Sequence, residues 1–156
     1  MTDLVCTKDV GAVAADTTVK VRFLLDLRNE DQVRERADRV STPGDPLYGK
    51  FLSQSEIDEL TNPLPADVER VAETLRGAVA DDGGARVSTT PTAVVLEGPP
   101  AVVGRVLGVE LRRHVRPQSP PESDTHCVRA ASGKPRIPAA IAADVHVLDG
   151  VFPAAA

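Results

Sequence analysis

The side chains that most readily take part in catalysis or metal binding are sparse along this chain of 156 residues. Its two cysteines, Cys6 and Cys127, lie far apart, and neither belongs to a CxxC pair or a metal-ligand spacing. We therefore predict two free thiols. His126 stands beside Cys127, but neighbours in a strand point to opposite faces, and thiol catalysis needs a third group to orient the base. His114 and His146 are isolated, which is typical of surface or hydrogen-bonded histidines.

Motifs for other reactions are missing from the sequence as well. It contains no nucleophile elbow, no cluster of metal ligands and no glycine loop of the kind that holds phosphate. We thus predict no catalytic residue, no cofactor and no metal site. These absences disfavour a small hydrolase and favour a binding role.

Composition restricts the partners of the chain. A hydrophobic content of 42% fits one globular domain, whereas only 3% aromatic residues offer little for stacking bases. The formal net charge of -5 argues against a phosphate-backbone partner. No stretch approaches the roughly 20 apolar residues of a membrane span, and the N-terminal segment lacks the basic flank of a signal peptide. We expect a monomer that binds protein, with no nucleic acid and no membrane.

Hydrophobic periodicity and capping signatures predict the elements that would build such a surface. Alternation indicates strands, and apolar stripes behind Ser, Asn or Pro indicate helices. In chain order we predict a strand (19–27), a helix opened by Asn29 with Gln32 reaching back, a helix opened by Ser53 with Glu56, a helix from Pro65, a hairpin (85–89 and 92–97), a helix (100–107) and a strand (109–115).

This order of elements is typical of a ferredoxin-like, or split βαβ, arrangement. The predicted fold class is therefore α+β, an antiparallel sheet of four strands with helices packed on one face and a C-terminal linker tail. We predict a flexible N-terminal arm (1–18), a core domain (19–116), and a linker with a C-terminal segment (117–156). The linker prediction rests on the abundance of Pro, Ser, Gly and charge over 117–135. Apolar patterning returns at 137–151.

Three segments, in this order along the chain, resemble a single family. Residues 41–53 read STPGDPLYGKFLS, a proline-containing turn followed by Tyr-Gly, an apolar pair and a Ser cap. Upstream, residues 21–30 (VRFLLDLRNE) are similar to the family's opening strand and Arg-Asn junction, and downstream 127–151 resembles the segment that precedes a catalytic domain. Together they resemble the activation pro-domain of kumamolisin-type (sedolisin) serine-carboxyl peptidases.

The resemblance implies a pro-region that helps its peptidase fold, covers the active-site cleft and is removed in acid, outside the cell or in an acidic compartment. Peptidase chemistry in that family uses Ser, Glu and Asp on a larger domain, and no Ser-Gly-Thr-Ser motif occurs here. We therefore predict a pro-domain and not an enzyme, with a sedolisin-type catalytic domain as partner, in cis or in trans. The alternative is a stand-alone ferredoxin-like protein-binding module without a peptidase.

Candidate contacts with the peptidase fall in two segments. Tyr48, before Gly49 in a proline-bounded loop, either anchors its own turn or forms a contact surface. The segment 132–151 either packs on its own domain or threads the cleft as a substrate-like strand. Carboxylates paired at the interface would have lowered pKa values, so binding should weaken in acid. The predicted contact residues are Pro46, Tyr48, Gly49, Phe51, Leu52, Arg136, Ile137 and Pro138.

Overall fold

The structure is a computed structural model, and it describes Cys6 together with residues 8–116 and 125–152. These residues form eight strands and four helices. The strands are β1 (Lys8–Ala12), β2 (Val19–Leu25), β3 (Arg86–Thr89), β4 (Ala93–Gly98), β5 (Leu111–Arg116), β6 (Thr125–Ala130), β7 (Val145–Asp149) and β8 (Val151–Phe152). The helices are α1 (Glu30–Val40), α2 (Gln54–Thr61), α3 (Pro65–Ala78) and α4 (Pro100–Leu107).

Four strands form the main sheet, which is antiparallel throughout and has the order β3, β4, β2, β7. The central strand β2 pairs with β4 through Val21–Leu96 and Phe23–Val94. Alternation in the sequence predicted one buried face for this strand. That prediction is confirmed, because Val21 and Phe23 have no exposed surface while Arg22 between them is exposed.

Helices α3 and α4 pack on the buried face of the main sheet and complete the core. Their predicted apolar stripes are buried, since Val71 and Leu75 of α3 and Val103 and Leu107 of α4 are all fully enclosed. Burying each such side chain contributes about 1.5–3 kcal/mol relative to leaving it exposed. The α+β class, with helices on one face of an antiparallel sheet, is therefore confirmed.

The fourth strand of the main sheet is not the one that we predicted. We expected the segment 109–115 to be the last strand of this sheet, but that place is taken by β7, which pairs with β2 and has Leu148 opposite Phe23. Strand β5 belongs instead to a second sheet with the order β1, β5, β6, β8. Alternation identifies a strand but not its partner, and both candidates carry apolar residues into the core, Leu111 from β5 and Val145 from β7. The last strand of the β-α-β-β-α-β order is thus β7, and β5 and β6 are inserted between α4 and this strand.

Two segments predicted to be irregular contain strands. Strand β1 lies in the expected loose arm (1–18), and β6 lies in the expected linker (117–135), of which 117–124 is outside the described residues. Strand β1 pairs with β5 at Asp9–His114, and β6 pairs with the other side of β5. Both segments consist largely of small and polar residues, so neither has the apolar pattern that identifies a strand. Each is ordered instead by backbone hydrogen bonds with β5.

Cys6 and Cys127 form a disulfide, so the prediction of two free thiols is wrong. Cys6 lies just before β1 and Cys127 lies in β6, the two strands that flank β5, and their Cα atoms are 6.0 Å apart. Because 121 residues separate them in sequence, their spacing gave no indication of this contact. Closing so long a loop stabilises the fold by about 3–5 kcal/mol.

The chain passes from the main sheet to the second sheet at Gly150, between β7 and β8. Its φ of 108° is a conformation that side chains rarely adopt, and a Cβ there would collide with the carbonyl oxygen of Lys20. Directly after this turn, β8 pairs in parallel with β6 through Val151–Val128. Glycine is therefore required where the two sheets are joined.

Candidate functional site

The loop between α1 and α2, residues 41–53, is built around Asp45, and we call it the contact loop. One oxygen of Asp45 accepts a hydrogen bond from the backbone N of Leu47 at 2.8 Å, and the other accepts from Nε of Arg39 at 3.2 Å. These bonds, first the one from Leu47, lower the pKa of Asp45 below its ordinary value. Gly49, with φ 77°, donates from its backbone N to the last carbonyl of α1 at 2.9 Å. The loop is therefore a fixed turn.

Two aromatic side chains project from the contact loop. Tyr48 is 55% exposed and Phe51 is 72% exposed. Pro46 and Gly49 are exposed as well, and Leu52 is half-buried. Because more than half of Tyr48 faces solvent, its exposure favours a contact surface over an anchor for its own turn. The five predicted contact residues of this segment are thus brought together on one exposed turn, and their contact role stays a prediction.

The contact loop ends where α2 begins, at a capping box that the sequence predicted and the structure confirms. Oγ of Ser53 accepts from the backbone N of Glu56 at 3.2 Å, and Oε2 of Glu56 accepts from the backbone N of Ser53 at 2.7 Å. The reciprocal pair satisfies two backbone donors of the first turn. The hydrogen bonds from Ser53, its backbone N first, lower the pKa of Glu56 below its ordinary value.

The opposite end of α2 is held by two residues to which the sequence analysis did not assign this role. Asn29, predicted to cap α1, makes no side-chain capping bond and has a left-handed backbone with φ 55°. Its Nδ2 donates instead to the carbonyl oxygen of Leu60 at 2.8 Å. Arg28 donates from three nitrogens to neighbouring carbonyl oxygens: Nη2 to Glu59 at 3.2 Å, the backbone N to Thr61 at 2.8 Å, and Nε to Asn62 at 2.6 Å. We call this arrangement the Arg28–Asn29 clamp.

The second group of predicted contact residues lies at the C-terminal end of α4. The backbone N of Arg136 donates to the carbonyl oxygen of Leu107 at 2.7 Å, and its side chain is exposed. Ile137 packs against the main core, and Pro138 is half-buried. These three residues therefore belong to a different element from the contact loop, and their contact role also stays a prediction.

The chain that follows Arg136 is part of the domain. Ile141 is fully enclosed, and Val145 and Val151 are 6% and 3% exposed. Strand β7 forms an edge of the main sheet. Of the two alternatives for 132–151, packing on its own domain is therefore the arrangement that this structure has.

The main sheet has a second face, on the side away from the core that it forms with α3 and α4. We call it the outer face. Its centre is apolar, with Leu24 opposite Val147, which is 44% exposed. Two ion pairs lie on the same face, Lys20–Glu97 at 3.4 Å and Arg22–Asp149 at 3.5 Å. The pairing registers assign the following residues to this outer face: Lys20, Arg22, Leu24, Arg86, Ser88, Ala93, Val95, Glu97, Val147 and Asp149.

The reactive side chains are not assembled into a reaction centre among the described residues. Cys127 is bonded to Cys6, and His114 is 6% exposed within the second sheet. Over the same residues, no group of three or more His, Cys, Asp or Glu could hold a metal ion. No helix in the described part of the chain is both long enough and apolar enough to cross a membrane.

A small α+β domain with an exposed aromatic turn and a partly apolar sheet face is a domain suited to binding another protein. A sequence profile of the family described as "Pro-kumamolisin, activation domain" matches residues 6–153. The chain therefore belongs to the pro-kumamolisin activation domain family. The prediction that these residues are a peptidase pro-region, and not its catalytic part, is confirmed by this match.

Individual relatives agree with the family assignment. Tripeptidyl-peptidase 1 of Rattus norvegicus is 33% identical over 73 residues, which are 47% of this chain and 13% of that protein. Xanthomonalisin of Xanthomonas sp. (strain T-22) is 38% identical over 69 residues, 44% of this chain and 8% of that protein. Tripeptidyl-peptidase 1 of Mus musculus is 32% identical over 71 residues. The matches thus span only a small part of each relative.

Proposed function

We propose that this activation domain binds the catalytic domain of a sedolisin-type peptidase, covers its active-site cleft near neutral pH and assists its folding. The observation that carries the proposal is the contact loop, which holds exposed Tyr48 and Phe51 on a hydrogen-bonded turn. Aromatic side chains on a fixed turn are effective binding anchors, because little conformational freedom is lost when they are buried.

The outer face of the main sheet supports the same proposal. It combines an apolar centre at Leu24 and Val147 with two ion pairs beside it, Lys20–Glu97 and Arg22–Asp149, and charges that are already paired cost less to bury against another protein. We propose that the contact loop and the outer face together form the surface that the peptidase covers. Arg136, Ile137 and Pro138 would lie at its periphery or lead towards the cleft.

Release in acid is the second part of the proposal. The pKa values of Asp45 and Glu56 lie below their ordinary values because both carboxylates accept backbone hydrogen bonds at the two ends of the exposed turn. A carboxylate with a lowered pKa stabilises the fold at pH values above its ordinary pKa of about 4. This effect is lost as the pH falls through the lowered pKa. The turn should therefore loosen in acid, and the peptidase would be released.

The test uses mature xanthomonalisin as the peptidase, because the matching part of that relative is 38% identical to this chain. Binding of the domain to the immobilised peptidase is measured at about pH 7 and about pH 3, and cleavage of a peptide substrate is followed with and without the domain. We expect tight binding near neutral pH, weak binding in acid and slower cleavage when the domain is present. Absence of binding at about pH 7, or equal binding at both pH values, would overturn the proposed mechanism.

A variant with both Tyr48→Ser and Phe51→Ser separates the contact loop from the rest of the domain. Both side chains are largely exposed, so the variant should fold like the parent. We expect its dissociation constant for xanthomonalisin to rise by about a hundredfold or more, because two aromatic anchors are lost. An unchanged dissociation constant would remove the contact loop from the proposed surface.

A further inference from the structure

We propose that Arg28 and Asn29 are positioning residues that hold the contact loop in the orientation needed to bind the peptidase. This inference rests on the proposed function and names the residues on which its binding surface depends. The carbonyl oxygens of residues 59, 60, 61 and 62 accept hydrogen bonds from this one dipeptide. The clamp thereby ties the end of β2 to the end of α2.

The C-terminus of α2 depends on this clamp for electrostatic reasons. The last carbonyls of a helix have no partner within the helix and carry a partial negative charge. Helix α2 has no basic residue in its last turn, and its sequence places Asp58 and Glu59 near that end. The guanidinium of Arg28 supplies the missing positive charge and donates to the carbonyl oxygens of Glu59 in the last turn and of the C-cap residue Asn62.

Apolar packing does little to hold α2 in place. Thr61 is its only buried residue, and no residue of α2 belongs to the main hydrophobic core. Helix α2 nevertheless fixes one end of the contact loop through the capping box at Ser53. The position of Phe51, two residues before that cap, is thus linked to the main sheet through α2 and the clamp.

The conformation of Asn29 agrees with a positioning role. It is the only residue other than glycine with a positive φ in the described part of the chain. Asn tolerates the left-handed conformation better than most residues, because its short polar side chain can hydrogen-bond nearby backbone. Here this conformation turns the chain from β2 into α1 and directs Nδ2 to the carbonyl of Leu60.

The test compares Arg28→Ala and Asn29→Gly with the control Arg34→Ala, which removes an exposed arginine that pairs only with Asp31 on the same helix. Glycine at position 29 keeps the left-handed backbone and removes only the two side-chain hydrogen bonds, the one donated to Leu60 and the one accepted from Nε2 of Gln32. This variant should therefore fold even if Arg28→Ala does not. We expect the dissociation constant for xanthomonalisin to rise about tenfold for Arg28→Ala and a few-fold for Asn29→Gly, and to stay unchanged for the control.

Two further measurements distinguish positioning from general loss of stability. In the background of Tyr48→Ser with Phe51→Ser, Arg28→Ala should have no further effect on binding, because the loop that it positions has lost its anchors. Hydrogen exchange of Arg28→Ala should accelerate over 41–62 and stay unchanged in β2 and β4. An equal loss of binding in both backgrounds, or exchange that accelerates uniformly, overturns the inference.

The same experiments separate this inference from the proposed function. If the parent domain does not bind xanthomonalisin, the proposed function fails for that peptidase, and the hydrogen-exchange pattern alone decides whether the clamp holds the loop. If the parent domain binds and neither clamp variant weakens binding, the proposed function stands and the positioning role is rejected.

Discussion

The two sides of the molecule are stabilised in different ways. The main sheet with α3 and α4 encloses large apolar side chains such as Phe23, Leu75 and Leu96 completely. Helices α1 and α2, with the contact loop, bury only Val40 and Thr61 between them and are held by capping, the Asp45 turn and the clamp. A rigid apolar body thus supports a polar, hydrogen-bonded extension that carries the exposed aromatics. We therefore expect the extension to loosen without unfolding of the body.

The largest effect expected from this comparison comes from two phenylalanines in the two regions. Phe23→Ala should lower the free energy of unfolding by about 3–5 kcal/mol, because it leaves a cavity in a fully buried site. Phe51→Ala, at a side chain that is 72% exposed, should change it by less than about 0.5 kcal/mol. Chemical denaturation of both variants measures the difference. Similar losses for the two would contradict the division into body and extension.

A second prediction concerns the glycine that joins the two sheets. Gly150→Ala should destabilise the protein by about 2–4 kcal/mol, because the new methyl group meets the carbonyl of Lys20 and the positive φ is strained. The matched control is Gly77→Ala within α3, where a Cβ meets nothing within 4 Å. It should stabilise by about 0.4–1 kcal/mol. Thermal unfolding decides, and a tolerated alanine at position 150 would mean that the crossover is less constrained than described.

A smaller effect is expected at the capping box. Ser53→Ala removes the cap of α2 and should reduce stability by about 1 kcal/mol. Because α2 lies outside the main core, the loss should be local. Hydrogen exchange should accelerate in 53–61, while β2 and β4 keep their protection. Ser55→Ala, at an exposed position within the same helix, serves as the control and should leave exchange unchanged.

The smallest effect is a change in pH dependence. The pKa of Asp45 is lowered, so its hydrogen bonds stabilise the contact loop fully at pH values above the ordinary pKa of an aspartate. This stabilisation is lost as the pH falls through the lowered pKa. In Asp45→Asn, limited proteolysis of the loop should depend less on pH between about pH 5 and pH 2 than in the parent. Asp38→Asn, on the exposed side of α1, should keep the parental profile. A parental profile in Asp45→Asn would assign the acid response to other groups.

Much of the body could be predicted from the sequence, because its signals are local. Alternation identified β2, and the apolar stripe identified α3. In the extension, the Ser53–Glu56 pair identified the start of α2 in the same local way. The pairing of β5 with β1 and β6 could not be predicted, since these partners are brought together by backbone hydrogen bonds between segments that lack an apolar pattern. The Cys6–Cys127 bond was missed for the same reason, as it depends on that pairing.

The candidate site was predicted in part. The exposed turn around Tyr48 was identified from its prolines and from its resemblance to the family. The clamp was missed because Asn29 before an acidic stretch has the pattern of a helix cap, and only the three-dimensional position of α2 reveals the other use of its side chain. The available signal was the adjacent Arg28, whose cation has no acidic partner at i+4 and is free to reach the end of another helix.

The covalent bond between Cys6 and Cys127 makes a closed ring of the chain from the first described residue to β6. Any single backbone cut inside that ring, including one in the contact loop, leaves two fragments that are still joined. A pro-domain attacked by a peptidase in this region would therefore not fall apart into separate molecules until the bridge is reduced. After brief digestion, it should migrate on a denaturing gel as one species without reductant and as two with it.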